Sequence, residues 1–143
     1  MHRLLFVCTG NYYRSRFAEI YFQHLAKTHG LESSVWSRGL ELWDGNENDI
    51  SINTLTRLDE LGISDFEVRA PIELFEDDLR RASRTIALSS REHKPLFQTK
   101  FPKWVDLVEY WDIEDIHFEK PEVALGQLQN AVVDLIDQLT EKT

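Results

Sequence analysis

Arg3-Leu4-Leu5-Phe6-Val7-Cys8-Thr9-Gly10-Asn11-Tyr12-Tyr13-Arg14-Ser15 is the stretch on which the reading of this chain turns. Arg3–Val7 reads as a buried strand ending at Cys8, because an unbroken apolar run fits a strand covered on both faces. Thr9-Gly10-Asn11 breaks the strand. A helix follows from about Arg14 to His29, with Phe17, Ile20, Tyr21 and Leu25 on one face and Gly30 as its stop. Five residues separate Cys8 from Arg14. A loop of that length can curl so that its N–H groups point inward, forming an anion nest that opens onto a helix N-terminus. Gly10 and Asn11 are residue types that tolerate the positive φ of such a curl.

Working outward, Ser34–Arg38 predicts a second short strand, and Asp44-Gly45-Asn46-Glu47-Asn48-Asp49 a polar loop. Ile52, Leu55, Leu58 and Leu61 mark a helix closed by Gly62. Leu74–Ala82 predicts another helix, Arg84–Leu88 a third strand, Ser90–Phe97 a helix and Val105–Tyr110 a fourth strand. Leu125, Leu128, Val132, Leu135 and Leu139 recur at spacings of three and four, which predicts a long amphipathic terminal helix. The fold class expected is α/β: a small, doubly wound, four-stranded parallel sheet with helices on both faces, as a single domain over 1–143. Such sheets bind ligands outside the carboxyl ends of their strands, near a topological switch. The carboxyl end of the first strand is Cys8.

Composition narrows the function classes. The 143 residues fit one domain. With 42% hydrophobic and 11% aromatic residues, the chain is neither disordered nor fibrous. Sixteen Lys+Arg against twenty-five Asp+Glu leave a net charge of −9, which argues against nucleic acid as a partner. If the ligand is an anion, its attraction must come from a few local donors. The single cysteine excludes an internal disulfide framework, a Cys-rich zinc site and a CxxC redox pair. The apolar run after Met1-His2-Arg3 is too short for a signal peptide, and no run is long enough for a membrane span, so a reducing cytoplasm is expected. His2, His24, His29, His93 and His117 share no ligand spacing, so no metal site is expected. The sequence is silent on oligomeric state.

A thiol at the centre of the loop would feel the helix dipole, the loop amides and the Arg14 guanidinium, and all three favour thiolate. Arg14 offers a planar fork suited to two oxygens of a phosphate. Ser15, in the first helical turn, is placed to donate to the sulfur. The bland alternative is that a lone Cys at a strand end is a small buried hydrophobe. Gly-Asn in the loop, Ser after Arg, and the strand-before, helix-after context weigh for the functional reading.

Cys8-Thr9-Gly10-Asn11, Arg14-Ser15 and Ala18-Glu19 resemble the active-site signature of low-molecular-weight protein tyrosine phosphatases and their relatives, the thioredoxin-type arsenate reductases. The resemblance spans most of the chain: Ser37, Trp43, Gly62-Ile63 and Thr85-Ile86-Ala87-Leu88 match it as well. It implies a phosphatase acting on phosphotyrosine in proteins or on small aryl phosphates. Cys8 would form a phosphocysteine, and Arg14 with the loop Thr9, Gly10, Asn11, Tyr12, Tyr13 and Ser15 would hold the phosphate, without metal or cofactor. The family's general acid is an Asp after the fourth strand, normally followed by Pro. Asp115 matches it, with Ile116 in place of Pro, and Asp112 is the rival. Trp43, Tyr12 and Phe118 (or His117) are the expected pocket walls. Tyr12 and Tyr13 stand where relatives often carry an aliphatic residue and a second Cys. Asn11 is expected to hold the loop through Ser15 and Ser37. The family often adds a supporting His in the segment matching Asp65–Arg69; none stands here, and Glu67 is the nearest polar substitute. The competing readings are arsenate reduction with an external thiol, a catalytically weak phosphate- or phosphopeptide-binding module, and a phosphocysteine carrier in sugar phosphotransfer.

Overall fold

Leu4, Leu5, Phe6 and Val7 are fully buried, as an unbroken apolar run requires when both faces of its sheet are covered. This strand, β1 (His2–Cys8), is flanked in parallel by β2 (Ser33–Gly39) and β3 (Arg84–Ala87). β3 pairs with β4 (Glu109–Tyr110), so the order is β2-β1-β3-β4. The computed structural model describes residues 1–141. Side chains alternate across β1. Leu4, Phe6 and Cys8 enter the core beneath α1 (Arg14–Thr28), α2 (Ile52–Glu60) and α5 (Pro121–Glu141). Leu5 and Val7 enter a second core with α3 (Glu76–Arg81) and α4 (Ser90–Lys100). The expected doubly wound parallel sheet is the one observed. No helix among the described residues is long and apolar enough to cross a membrane.

Three expected elements differ in extent by more than one residue at an end. The fourth strand was expected over Val105–Tyr110, but only Glu109 and Tyr110 pair with β3. Residues 102–107 form turns instead, with Trp104 N–H on Phe101 O and Leu107 N–H on Trp104 O, and Leu107 is 70% exposed. The helix expected from Leu74 begins at Glu76, because Leu74 N–H is engaged with Gly39 O, 2.8 Å away, at the end of β2. Asp78 accepts from Phe75 N–H at 3.0 Å and starts the helix there. The helix expected over Ser90–Phe97 continues to Lys100 despite Pro95 within it.

After β1 the chain builds β2 on one side, then crosses to build β3 on the other. The loops leaving β1 and β3 therefore diverge and open a crevice between them. The loop after Cys8 lies directly on the end of β2. A Cβ on Gly39 would sit 2.8 Å from Thr9 O and 3.0 Å from Asn11 N, so only glycine allows this approach. Gly39→Ala should therefore destabilise the fold by about 1–3 kcal/mol, the range for overpacking. Gly126→Ala, inside α5 with nothing nearer than Arg57 Nη2 at 3.9 Å, should be neutral or stabilising by up to about 1 kcal/mol. Urea denaturation ranks the two; a Gly39→Ala protein as stable as the parent would contradict the close approach.

Candidate active site

The loop between β1 and α1 is fixed by Asn11, the one described non-glycine residue with positive φ, at 52°. Gly10, expected to share that conformation, does not adopt it; a Cβ there would meet only Tyr12 Cβ at 3.9 Å. Asn11 is fully buried and its amide is saturated. Nδ2 donates to Ser15 Oγ at 2.9 Å and Ser37 Oγ at 2.8 Å. Oδ1 accepts from Arg69 Nη1 at 2.9 Å and Ile72 N–H at 3.0 Å. Meanwhile the N–H groups of Gly10, Asn11, Tyr12 and Tyr13 find no acceptor among the described residues. Such amides, carried on a loop next to a helix N-terminus, favour an anion.

Cys8 Sγ is 2.9 Å from Ser15 Oγ. Since Asn11 donates to that oxygen, the Ser15 hydroxyl proton is free to be directed at the sulfur. Arg14 is 3% exposed, and two of its nitrogens are engaged on its outer side. Nη1 donates to Ile113 O at 2.8 Å, and Nη2 donates to Glu92 at 2.7 Å. Its Nε, also buried, has no partner. Asp115 Oδ1 lies 3.7 Å from Nη2. Burial opposes the Arg14 charge, but Cys8, Glu92 and Asp115 together outweigh it, so its pKa is raised.

Glu92 and His93 stand in the first turn of α4, where the sequence marks only a helix and gives His93 a surface or helix-end role; His93 is instead fully buried. In the structure they brace the loop. Glu92 accepts from Thr9 Oγ1 as well as Arg14, and His93 Nε2 lies 3.0 Å from Thr9 Oγ1 and 3.1 Å from the Glu92 carboxylate. Ser89 N–H donates to His93 Nδ1 at 3.0 Å, so the neutral ring carries its proton on Nε2. Burial pushes the Glu92 carboxyl up, but hydrogen bonds from His93, Arg14 and Thr9 hold it well below the usual carboxylate range. Burial lowers the His93 pKa, and Arg14 adds to this against the pull of Glu92 and Asp115.

Behind the loop, the polar support is Arg69 rather than Glu67, whose backbone carbonyl accepts from Arg16. The Arg69 guanidinium bridges Asn11, Ser37 Oγ at 3.2 Å and Glu19 at 3.2 Å. Arg69 closes the segment in which a supporting His is expected, and its longer side chain reaches Asn11 Oδ1 from there.

Cys8, Arg14, Tyr12, Asp115, Trp43 and Phe118 line one cleft of about 670 Å³; His117 also lines it. Trp43 and Phe118 stand on opposite lips, 66% and 65% exposed. Asp112 does not line the cleft; it is exposed and bridges backbone to backbone with Ser89. Tyr13 points toward the first core. Its hydroxyl is buried without a partner, and burial pushes its pKa up to about 12, so it stays neutral.

His93 makes stability depend on pH. Its folded pKa is lowered while the unfolded chain titrates near the ordinary value of about 6.5. The unfolded state therefore takes up a proton that the native ring refuses, and stability falls as pH drops through about 6.5. Glu92, also lowered, adds a loss in the same direction below about 4.5. Urea midpoints at pH 7.5 and 5.5 should decline in the parent, and the decline should shrink in His93→Gln. Equal declines in both would contradict a buried neutral His93.

Over residues 3–142 the chain matches the family model described as low molecular weight phosphotyrosine protein phosphatase. Among curated proteins none matches it significantly. The solved low molecular weight protein tyrosine phosphatase from T. tengcongensis is 30% identical over 100% of both chains, with a TM-score of 0.77. YfkJ from Bacillus subtilis superposes with a TM-score of 0.85 at 24% identity, covering 100% of this chain and 97% of that one. The YwlE arginine phosphatase from Geobacillus stearothermophilus gives 0.80 at 24% identity, over 99% and 95%. The family match over residues 3–142 and the 30% identical relative show that the chain belongs to the low molecular weight phosphotyrosine protein phosphatase family and is a cysteine-based phosphatase.

Proposed function

We propose that Cys8, Arg14 and Asp115 hydrolyse phosphotyrosine or small aryl phosphates in two in-line steps. The observation that carries this reading is the buried, unpartnered Arg14 Nε in the same cleft as the Cys8 sulfur. With Nη1 and one Nη2 proton committed to Ile113 and Glu92, the Nε proton and the second Nη2 proton are left as a parallel pair for two phosphate oxygens. The loop amides of Gly10 to Tyr13 complete the cradle for the equatorial oxygens.

In the first step Cys8 sulfur bonds to phosphorus as the phosphorus–oxygen bond to the leaving group breaks, and Asp115 delivers its proton to that oxygen. In the second step water attacks the phosphocysteine, Asp115 takes the water proton, and the sulfur departs as thiolate, stabilised by the Ser15 hydroxyl. Trp43, Tyr12 and Phe118 flank the aryl group. Phosphoarginine is a second reading. Asp115 and Glu92 put two carboxylates at Arg14, where a guanidinium leaving group would find acceptors, and one structural relative carries the name arginine phosphatase. The proposed chemistry needs a reduced Cys8 thiol, which a reducing cytoplasm maintains.

Turnover of phenyl phosphate and p-nitrophenyl phosphate separates the roles. Cys8→Ser should abolish both. Asp115→Asn should slow phenyl phosphate by about 10²–10⁴-fold and p-nitrophenyl phosphate far less, because only the poorer leaving group needs the proton. Asp112→Asn should change neither. Retained activity in Cys8→Ser, or the acid's signature in Asp112→Asn, would overturn these assignments. Phosphoarginine hydrolysed in preference to phosphotyrosine would select the second reading.

A further inference from the structure

The two lips of the cleft are built from the same kinds of residue but differ in charge balance. On one lip, Arg91 lies 4.3 Å from the centre of the Phe118 ring and is ion-paired with Glu114. An aromatic face, a carboxylate and a cation are thus already assembled there from the chain itself. The other lip, the segment after β2, carries Trp43 with Glu41, Asp44, Glu47 and Asp49, and no Lys, Arg or His stands between Arg38 and Arg57; the cation set against its start is Lys100, whose Nζ donates to Leu40 O at 2.8 Å. All four acids are exposed, and among the described residues none of their carboxylates has a hydrogen bond or an ion pair.

This acidic lip is anchored to the site. Leu40 N–H donates to Cys8 O and Glu41 N–H to Thr9 O, both at 2.9 Å, so Glu41 sits against the nucleophile loop. The Trp43 ring packs on Gly45, where a Cβ would fall 2.4 Å from Cζ2, and Asn46 Nδ2 donates to Trp43 O at 3.0 Å. The indole is therefore presented on a braced turn. Independently of the acids, the unpartnered Nε of the buried Arg14 in the same cleft calls for an anionic group. A ligand for the whole cleft is negative at its phosphate and positive beside it.

We propose that the 41–49 lip docks a basic segment, so that the substrates are phosphorylated polypeptides with Lys or Arg close to the phosphorylated residue. The cation packs on Trp43 as Arg91 packs on Phe118, with Glu41 and its neighbours as counter-charges. The proposal rests on the phosphatase reading above and adds the chemistry of the flanking chain.

The test compares kcat/KM for three phosphotyrosine peptides that differ only in a flanking Lys, Ala or Glu, with p-nitrophenyl phosphate run in parallel. Parent protein is set against a variant carrying Glu41→Gln, Asp44→Asn, Glu47→Gln and Asp49→Asn. Near 0.01 M salt the parent should favour the Lys peptide over the Glu peptide by roughly tenfold, the sum of several exposed charge pairs. The preference should collapse near 1 M salt, where screening shortens to about 3 Å. In the variant it should fall to about twofold or less with p-nitrophenyl phosphate turnover unchanged, since exposed unpaired carboxylates contribute little to the fold. A flat peptide series in the parent, or a preference that survives in the variant, overturns the docking proposal while leaving the phosphatase reading in place. Failure to hydrolyse p-nitrophenyl phosphate removes that reading, and the docking proposal with it.

Discussion

Four consecutive backbone N–H groups without an acceptor cannot hold their own loop, because each would gain by turning to water or to another part of the chain. In this protein the restraint comes from the Asn11 side chain. Its left-handed backbone bends the loop, its Nδ2 binds forward to Ser15 and across to Ser37, and its Oδ1 is gripped by Arg69 and Ile72. Arg69 then ties this amide to Glu19, so the support behind the loop is ionic. Burial lowers the Arg69 pKa, and the neighbouring Arg16 and Arg38 add to this, with Glu19 opposing. The guanidinium still carries its charge at any physiological pH. A histidine in this place would titrate there.

The front of the loop is held by charge of the other sign. Glu92 holds Arg14 and Thr9, and in the proposed reaction it sets a carboxylate beside the phosphate. On that reading the neighbour weakens binding of a dianion while keeping the Arg14 fork aimed for the trigonal-bipyramidal transition state. This is the direction in which binding energy favours rate over ground-state affinity. Removing Glu92 would also take from Arg14 one of the three charges that offset its burial, leaving Cys8 and Asp115 to do so. The net charge of −9 is thus reconciled with an anionic ligand by a few fixed donors, and the unpaired acids stand at the rim.

Much of this was legible in the order of residues. The run Leu4–Val7 could only be an inner parallel strand, Gly30 and Gly62 do adopt the positive φ of helix ends, and the Leu125–Leu139 periodicity is the long helix over the first core. The loop after Cys8 announced itself because strand, glycine, arginine and helix occur in a fixed order. What was not legible depends on contacts distant in sequence. Val105–Val108 is apolar enough for a strand, but β3 offers its edge only two partners. Glu92 carries no local signal beyond its place in the helix expected over Ser90–Phe97. Its meaning appears only once β3 is known to end beside β1, so that the first turn of α4 faces the loop. Arg69 lies 58 residues from Asn11, and nothing local marks it as a partner.

In the proposed reaction an unpartnered edge of Arg14 and the free loop amides converge with the Cys8 sulfur on one oxyanion. A crystal structure with orthovanadate tests it most directly. The account requires vanadium bonded to Cys8 Sγ, with Arg14 Nε and Nη2 on two equatorial oxygens, the Gly10–Tyr13 amides turned inward, and Glu92 still on Nη2. Vanadate bound elsewhere, or held at Cys8 with Arg14 directed away from it, would contradict the account.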